Sequence, residues 1–185
     1  MHAEAEILKR TGGREVSGVV LDAETIAQRV HALGSEITDH YADGDLLVLG
    51  LLKGSFIFLS DLVRSIMRPH QVDFLVAASY GNATQSSGNV RLLYDPETEL
   101  AGRHILLVED IVDTGNTLNR LVRLLGARGP RSLEICALLH KRIAPNLELE
   151  PRFVGFDAPP VFLVGYGLDH AEDFRHLPFI ASLRE

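Results

Sequence analysis

Cysteine is nearly missing from this chain. Cys136 is the only one among 185 residues, so no internal disulfide is possible. It lies in the apolar run EICALL, where a buried, inert thiol is expected, and a reducing cytoplasm suits it. Long hydrophobic runs are also missing. The longest, such as Leu46 to Leu52, fall far short of the ~20 apolar residues that cross a bilayer, and the start MHAEAEILKR lacks the apolar centre of a signal peptide. Positive charge is in deficit: the formal net charge is -7, which argues against duplex nucleic acid as a partner and requires any phosphate ligand to be gripped locally. Neither G-x-x-x-x-G-K-[ST] nor G-x-G-x-x-G occurs, and Gly165-Tyr166-Gly167 does not complete the latter. The eight histidines show no metal-ligand spacing, so none is assigned to metal, and His140 and His170 are taken as neighbours of site residues. There is no internal repeat.

What is present is a 46% hydrophobic chain of a length suited to one core, hence a single domain over residues 1–185. From Asp22, a plausible N-cap, Ile26, Val30, Leu33 and Ile37 recur at helical spacing. Leu46 to Gly50 reads as a strand buried on both faces, followed by a turn at Leu52-Lys53-Gly54-Ser55 and a helical pattern at Leu59, Leu62, Val63, Ile66 and Met67. Strand-like runs follow at Val72 to Ser79, His104 to Glu109, Ser132 to His140 and Val161 to Gly165, with helical spacing at Leu118, Leu121, Val122 and Leu125. Such alternation predicts an α/β fold, a mostly parallel twisted sheet flanked by helices. The run GNATQSSG from Gly81 to Gly88 is polar and aperiodic and is expected to be a mobile surface loop.

The segment ILLVEDIVDTGNTL, Ile105 to Leu118, carries the chemistry. It begins as a buried strand, passes Glu109 and Asp110, then Asp113, and turns on Thr114-Gly115-Asn116-Thr117 into a helix. A helix N-terminus offers free backbone NH groups and the positive end of the macrodipole, so this turn can hold a phosphate without a lysine. Gly115 permits close backbone approach, and the hydroxyls of Thr114 and Thr117 add donors. Glu109 and Asp110 would repel a bare phosphate; they make sense facing sugar hydroxyls, a cation or both. A sugar phosphate with magnesium meets all these demands. The plainer alternative is an ordinary turn in which Asp113 caps the helix.

Two acidic residues, then Asp-Thr-Gly, then Thr, resemble the phosphoribosyl-pyrophosphate signature of the type I phosphoribosyltransferases, and the remainder from about Leu21 onward resembles the hypoxanthine-guanine phosphoribosyltransferases. That resemblance implies the following roles. Asp113 would accept a proton from the purine ring; Asp113 to Thr117, including Asn116, would bind the 5-phosphate; and Glu109 and Asp110 would hold the ribose hydroxyls. Lys53, Gly54 and Arg175 would bind pyrophosphate, with the Leu52-Lys53 peptide cis as in the family's loop. Lys141 would touch the exocyclic oxygen of the base, Phe162 would stack on its ring and the backbone of Leu163 would meet its edge. Asp169 would approach magnesium or pyrophosphate, and magnesium would be held by Glu109, Asp110 and Asp169. Ser79-Tyr80 and the following loop, residues 79–90, would form a lid that excludes water, residues 151–185 a hood over the base, and the whole a homo-oligomer, dimer or tetramer. Asn116, where several relatives carry lysine, and Leu163, where some carry valine, depart from the pattern without breaking the chemistry.

Plainer readings stand beside these: Lys53 as a solvated turn lysine, Lys141 as a strand-end lysine, Phe162 as a core aromatic, residues 79–90 as a plain surface loop. Residues 1–20 carry no match, and Thr11 to Arg14 suit a flexible arm or a subunit contact. The expected activity is transfer of the phosphoribosyl group of 5-phosphoribosyl-1-pyrophosphate to hypoxanthine or guanine. A transferase for xanthine or a pyrimidine is the nearest rival. A catalytically dead sensor of nucleotides with the same fold is the other, against which Asp113 and the lack of a basic helical extension both speak.

Overall fold

In the computed structural model, which describes residues 7, 9–13, 16–79, 90–143 and 146–183, the elements are β1 (Val16–Leu21), α1 (Ala23–His40), β2 (Leu46–Leu52), α2 (Phe56–Ser65), β3 (Gln71–Ser79), β4 (Val90–Tyr94), β5 (His104–Val112), α3 (Asn116–Gly126), β6 (Ser132–His140), β7 (Phe153–Asp157), β8 (Leu163–Val164) and β9 (Ile180–Leu183). Asp22 caps α1 as its position suggests, its carboxylate accepting the Thr25 NH at 2.7 Å. The principal sheet has the order β4-β3-β2-β5-β6-β7, parallel except for the antiparallel edge strand β4.

Alternation along the central strands explains the layers. Leu46 and Val48 of β2 and Leu106 and Val108 of β5 face a core completed by Ile26, Leu33 and Ile37 of α1 and Phe58 and Leu62 of α2. Leu47, Leu49, Ile105 and Leu107 face the other side, where Leu118, Leu121 and Leu125 of α3 cover them. Strands wetted on neither face read as unbroken apolar runs, so β2 and β5 were legible in the sequence. Cys136 is fully buried on β6, and burial pushes its thiol far above the ordinary range, as an inert thiol requires.

A second, antiparallel sheet, β1-β9-β8, rests on the first through Leu163, Tyr166, Leu168 and Ile180, which join the core of α1 and α2. Expectation and structure differ at four places. The strand expected over 161–165 shrinks to Leu163–Val164, because Val161 and Phe162 are exposed and Gly165 turns the chain at φ 98°. The arm expected over 1–20 contains β1, which pairs with β9, and His176 Nε2 lies 2.9 Å from the Arg10 carbonyl, so this end is tied to the second sheet. Within the segment expected as a hood, residues 151–185, β7 belongs to the principal sheet. The helical pattern ending at Met67 also stops early: Ile66 is extended, Met67 is 81% exposed, and its NH is taken by the Thr38 hydroxyl.

Candidate active site

The C-terminal ends of β2, β5 and β6 lie together, where parallel α/β sheets place their ligands. β5 delivers its adjacent carboxylates to two different places. Glu109 faces a cavity of about 110 Å³ lined by Asp113, Thr114, Gly115, Asn116 and Thr117. Asp110 turns the other way and lies against Gly54, so closely that a Cβ at Gly54 would overlap the Asp110 carboxylate. Glycine at 54 is therefore a requirement of packing.

Gly115 sits at the N-cap of α3 in the left-handed conformation (φ 78°, ψ -3°), with no side chain bonded across the helix start. The first-turn NH groups have no intrahelical acceptor, which leaves them pointing into the cavity as an anion cradle. Asp113 does not act as a helix cap: its carboxylate instead accepts a hydrogen bond from Lys141 Nζ at 2.9 Å. That pair joins the end of β5 to the end of β6, and Lys141 is largely enclosed (14% exposed) while Asp113 stays open to a ligand (45%). A solvated strand-end lysine would show neither feature.

Burial pushes the Glu109 carboxyl well above its usual range, and the neighbouring Asp110 charge adds to it; its Oε2 is buried with no hydrogen-bond partner among the described residues. Asp110 is pushed up to about 6, again chiefly by burial, while backbone NH groups and Arg175 act in the opposite sense. Two desolvated carboxylates with no ion pair among the described residues are poised for a ligand that brings hydroxyls or a metal.

On the far side of Asp110, the Leu52-Lys53 peptide is cis, as the resemblance implied, and the Gly54 carbonyl meets Gly167 so tightly that a Cβ there would clash with it. Gly167 belongs to the first of two consecutive tight turns. Gly165 and Leu168 exchange backbone hydrogen bonds at 3.0 and 3.1 Å, with φ positive at Tyr166 and Gly167 between them; His170 and Asp173 do the same at 3.2 and 3.1 Å, with φ positive at Ala171 and Glu172. This is the signature of type I′ turns. Tyr166 anchors the segment by donating to the Asp61 carboxylate of α2 at 2.6 Å. Arg175 donates to the Gly167 carbonyl and pairs with Asp169, both at 2.8 Å; Glu172 bridges Lys53 (3.1 Å) and Arg175 (3.4 Å).

Phe162 is 46% exposed and is not a core aromatic; the His170 ring stands edge-on to it at 5.5 Å, leaving it free to stack. The Leu163 side chain is buried in the core, so only its main chain can serve a ligand. Ser79 ends β3, and Tyr80 with the rest of the loop up to residue 89 lies outside the described residues. The structure adds participants that sequence reasoning missed: Glu172, Gly167 and the Tyr166–Asp61 contact. An acidic residue three positions from both Asp169 and Arg175 was the available signal for Glu172, but Ala-Glu is not a turn dipeptide and nothing marked the second turn.

The phosphoribosyl transferase domain model matches residues 17–171. The chain is 41% identical over 167 residues to a hypoxanthine phosphoribosyltransferase of Salmonella typhimurium, covering 89% of this chain and 94% of that one. It is 46% identical over 171 residues to a hypoxanthine-guanine phosphoribosyltransferase of Dictyostelium discoideum, covering 90% and 95%. A crystal structure of a hypoxanthine phosphoribosyltransferase from Staphylococcus aureus superposes with a TM-score of 0.87 at 37% identity, covering 91% and 92%. The fold is thus that of the type I phosphoribosyltransferases, and the chain belongs to their hypoxanthine-guanine family.

Proposed function

We propose that this enzyme transfers the phosphoribosyl group of 5-phosphoribosyl-1-pyrophosphate to hypoxanthine, guanine or both, giving the 5′-nucleotide and pyrophosphate. The observation that carries the reading is the 2.9 Å pair of Asp113 and Lys141 beside the anion cradle of α3. A carboxylate able to take a proton and an ammonium able to favour an oxo over an amino substituent meet next to the place where a ribose phosphate would sit. Names of the relatives, hypoxanthine and hypoxanthine-guanine phosphoribosyltransferase, point the same way.

In this reading the backbone NH groups at the start of α3, with the Thr114 and Thr117 hydroxyls, anchor the 5-phosphate and align the sugar with the base. Glu109 and Asp110 receive the ribose hydroxyls. Asp113 draws the proton from the purine ring nitrogen as the new bond to the anomeric carbon forms and the bond to pyrophosphate breaks. Lys53 and Arg175 take up the charge of the leaving group. Phe162 stacks on the purine, and the main chain at Leu163 faces its edge.

Magnesium fits this set. Glu109, with its orphaned Oε2, and the desolvated Asp110 lie on opposite sides of β5, so each would offer magnesium one hard carboxylate ligand from its own side, and magnesium is commonly held by one or two carboxylates together with substrate phosphates. Asp169, the third ligand the resemblance implied, has both carboxylate oxygens engaged, one by Arg175 and one by the Glu172 NH at 2.9 Å. When bound, magnesium supplies positive charge to the pyrophosphate oxygens.

We further propose one domain with β1, β8 and β9 as the hood, residues 79–90 as the lid, a cytoplasmic location suited to the buried free thiol of Cys136, and a homo-oligomer, dimer or tetramer. Exposed Val72 and Phe74 of β3 and Tyr94 of the edge strand β4 give an apolar surface that supports association. The test of the activity offers hypoxanthine, guanine, xanthine, adenine and uracil separately, with the activated ribose and magnesium. Turnover of hypoxanthine or guanine is expected. Preference for xanthine or uracil would move the protein to another transferase class, and no turnover of any base despite tight binding of the activated sugar would make it a sensor.

A further inference from the structure

Four charged side chains from two segments far apart in sequence meet beside Gly54. Lys53 and Arg175 are the cations that the proposed function assigns to pyrophosphate, and a single carboxylate oxygen, Glu172 Oε2, accepts from both, at 3.1 Å and 3.4 Å. Asp169 pairs with the same Arg175 nitrogen, Nη2, at 2.8 Å. Lys53, Arg175, Asp169 and Glu172 thus sum to zero formal charge, so with Glu172 in place the subsite has no excess positive charge for a polyanion. The Glu172 carboxylate is 66% exposed and Lys53 is 65% exposed, so the contact between them is open to competition from a ligand.

The backbone explains how Glu172 comes to be there. Ala171 and Glu172 occupy the two central positions of the second type I′ turn, at φ 52° and 65°, where glycine and asparagine are strongly favoured. Side chains at such positions are strained, and the turn is held by the His170–Asp173 hydrogen bonds and by the Glu172 NH donating to Asp169 at 2.9 Å. Glycine at 172 would satisfy the turn better; glutamate instead projects a carboxylate between the two cations. Local conformational preference is given up for a side chain whose only hydrogen-bonding partners among the described residues are those cations.

We propose that Glu172 is a displaceable stand-in for pyrophosphate: it occupies Lys53 and Arg175 in the empty enzyme and must yield them when the pyrophosphate group arrives. The inference rests on the assignment of Lys53 and Arg175 to that group. Its consequence is a subsite that binds the leaving group less tightly than its two cations would otherwise allow, with Glu172 returning as the product departs. Glu172 touches no reacting atom and is a positioning residue.

The test is inhibition of the forward reaction by magnesium pyrophosphate in wild type, Glu172→Gln, Glu172→Gly and Lys53→Ala. Glutamine keeps the size and removes the charge; glycine removes the side chain and suits the turn. Both Glu172 variants are expected to bind pyrophosphate about three- to tenfold more tightly, the range set by two exposed ion pairs, while KM for the purine is unchanged. A merely structural role would weaken pyrophosphate and purine together. If pyrophosphate inhibition is unchanged or weaker in both variants while Lys53→Ala still weakens it, the stand-in role is wrong and the subsite assignment survives. If only glycine has the effect, the turn and not the charge is responsible, and the proposal is overturned. If Lys53→Ala leaves inhibition untouched, the subsite assignment itself fails and the proposal with it.

Discussion

The turn from Asp113 to Thr117 hangs from the end of β5, a strand flanked by β2 and β6 and buried on both faces, and what it offers a ligand is mostly main chain. The segment from Gly165 to Arg175 is built differently. Two tight turns, the buried Tyr166 and Leu168 and a set of ion pairs hold it, and what it offers is mostly side chain. Strand register fixes the first region with the precision of the core. The second depends on charges that water and salt can reach, which suits a place where a charged group must enter and leave. Asp110 stands between them, attached to the first and packed against the second through Gly54.

This contrast predicts different consequences for substitutions in the two regions. The largest effect is expected for Asp113→Asn, which keeps the turn and removes the proposed proton acceptor. Turnover should fall by about 10²–10⁴ with nucleotide binding largely retained, measured by steady-state kinetics beside nucleotide titration. Unchanged turnover would mean that the proton goes elsewhere.

Next comes Gly54→Ala, at the joint between the regions. The new Cβ must displace the Asp110 carboxylate, so a loss of about 1–3 kcal/mol in stability and a marked fall in kcat/KM are expected together. A variant that melts like wild type would show that the joint has slack.

Asp110 itself should reveal strain of the opposite sign. Its carboxyl titrates near 6 in the folded protein against an ordinary 3.8, so between those values the folded state binds more protons than the unfolded one, and stability falls as pH rises. Asp110→Asn should therefore stabilise the ligand-free protein at pH 7 by about 1–3 kcal/mol, the gain fading below about pH 4, while binding of the activated sugar is lost. Denaturant melts across pH 4–8 measure this; a wild-type profile flat between pH 4 and 6 would contradict it.

The smallest effect is expected at Phe162, just ahead of the second region. Phe162→Ala should raise KM for the purine about tenfold and leave the melting temperature within a few degrees, because the ring is half exposed and outside the core. Leu163→Ala, one position along, should instead cost about 2–5 kcal/mol of stability, since its side chain is buried.

How far the sequence revealed these features follows the same division. β2, β5, β6, α1 and α3 were visible because burial on both faces of a strand, or one face of a helix, writes a period into the residues. β1, β4, β7 and β9 were not. β1 shows a mostly exposed pattern, and each is a sheet edge or short, so pairing with a remote partner and not local pattern makes it a strand. The D-T-G-x-T turn was visible because its chemistry is contiguous: carboxylates, glycine and hydroxyls follow one another on a strand-to-helix junction. Lys141 and Asp113 were each identified, but nothing in the order of residues says that they touch.

What the sequence determined by itself was therefore the α/β class, the central strands and the strand-to-helix turn from Asp113 to Thr117, because these depend on hydrophobic period and on residues that are neighbours along the chain. Tertiary structure alone decided that Glu109 and Asp110 serve opposite sides of β5, that Gly54 must be glycine because Asp110 fills the space beside it, and that Glu172 lies between Lys53 and Arg175. Each of these is a contact between residues distant in sequence or a choice of strand face at the end of a sheet, and only the packed chain brings such partners within a few ångströms of one another.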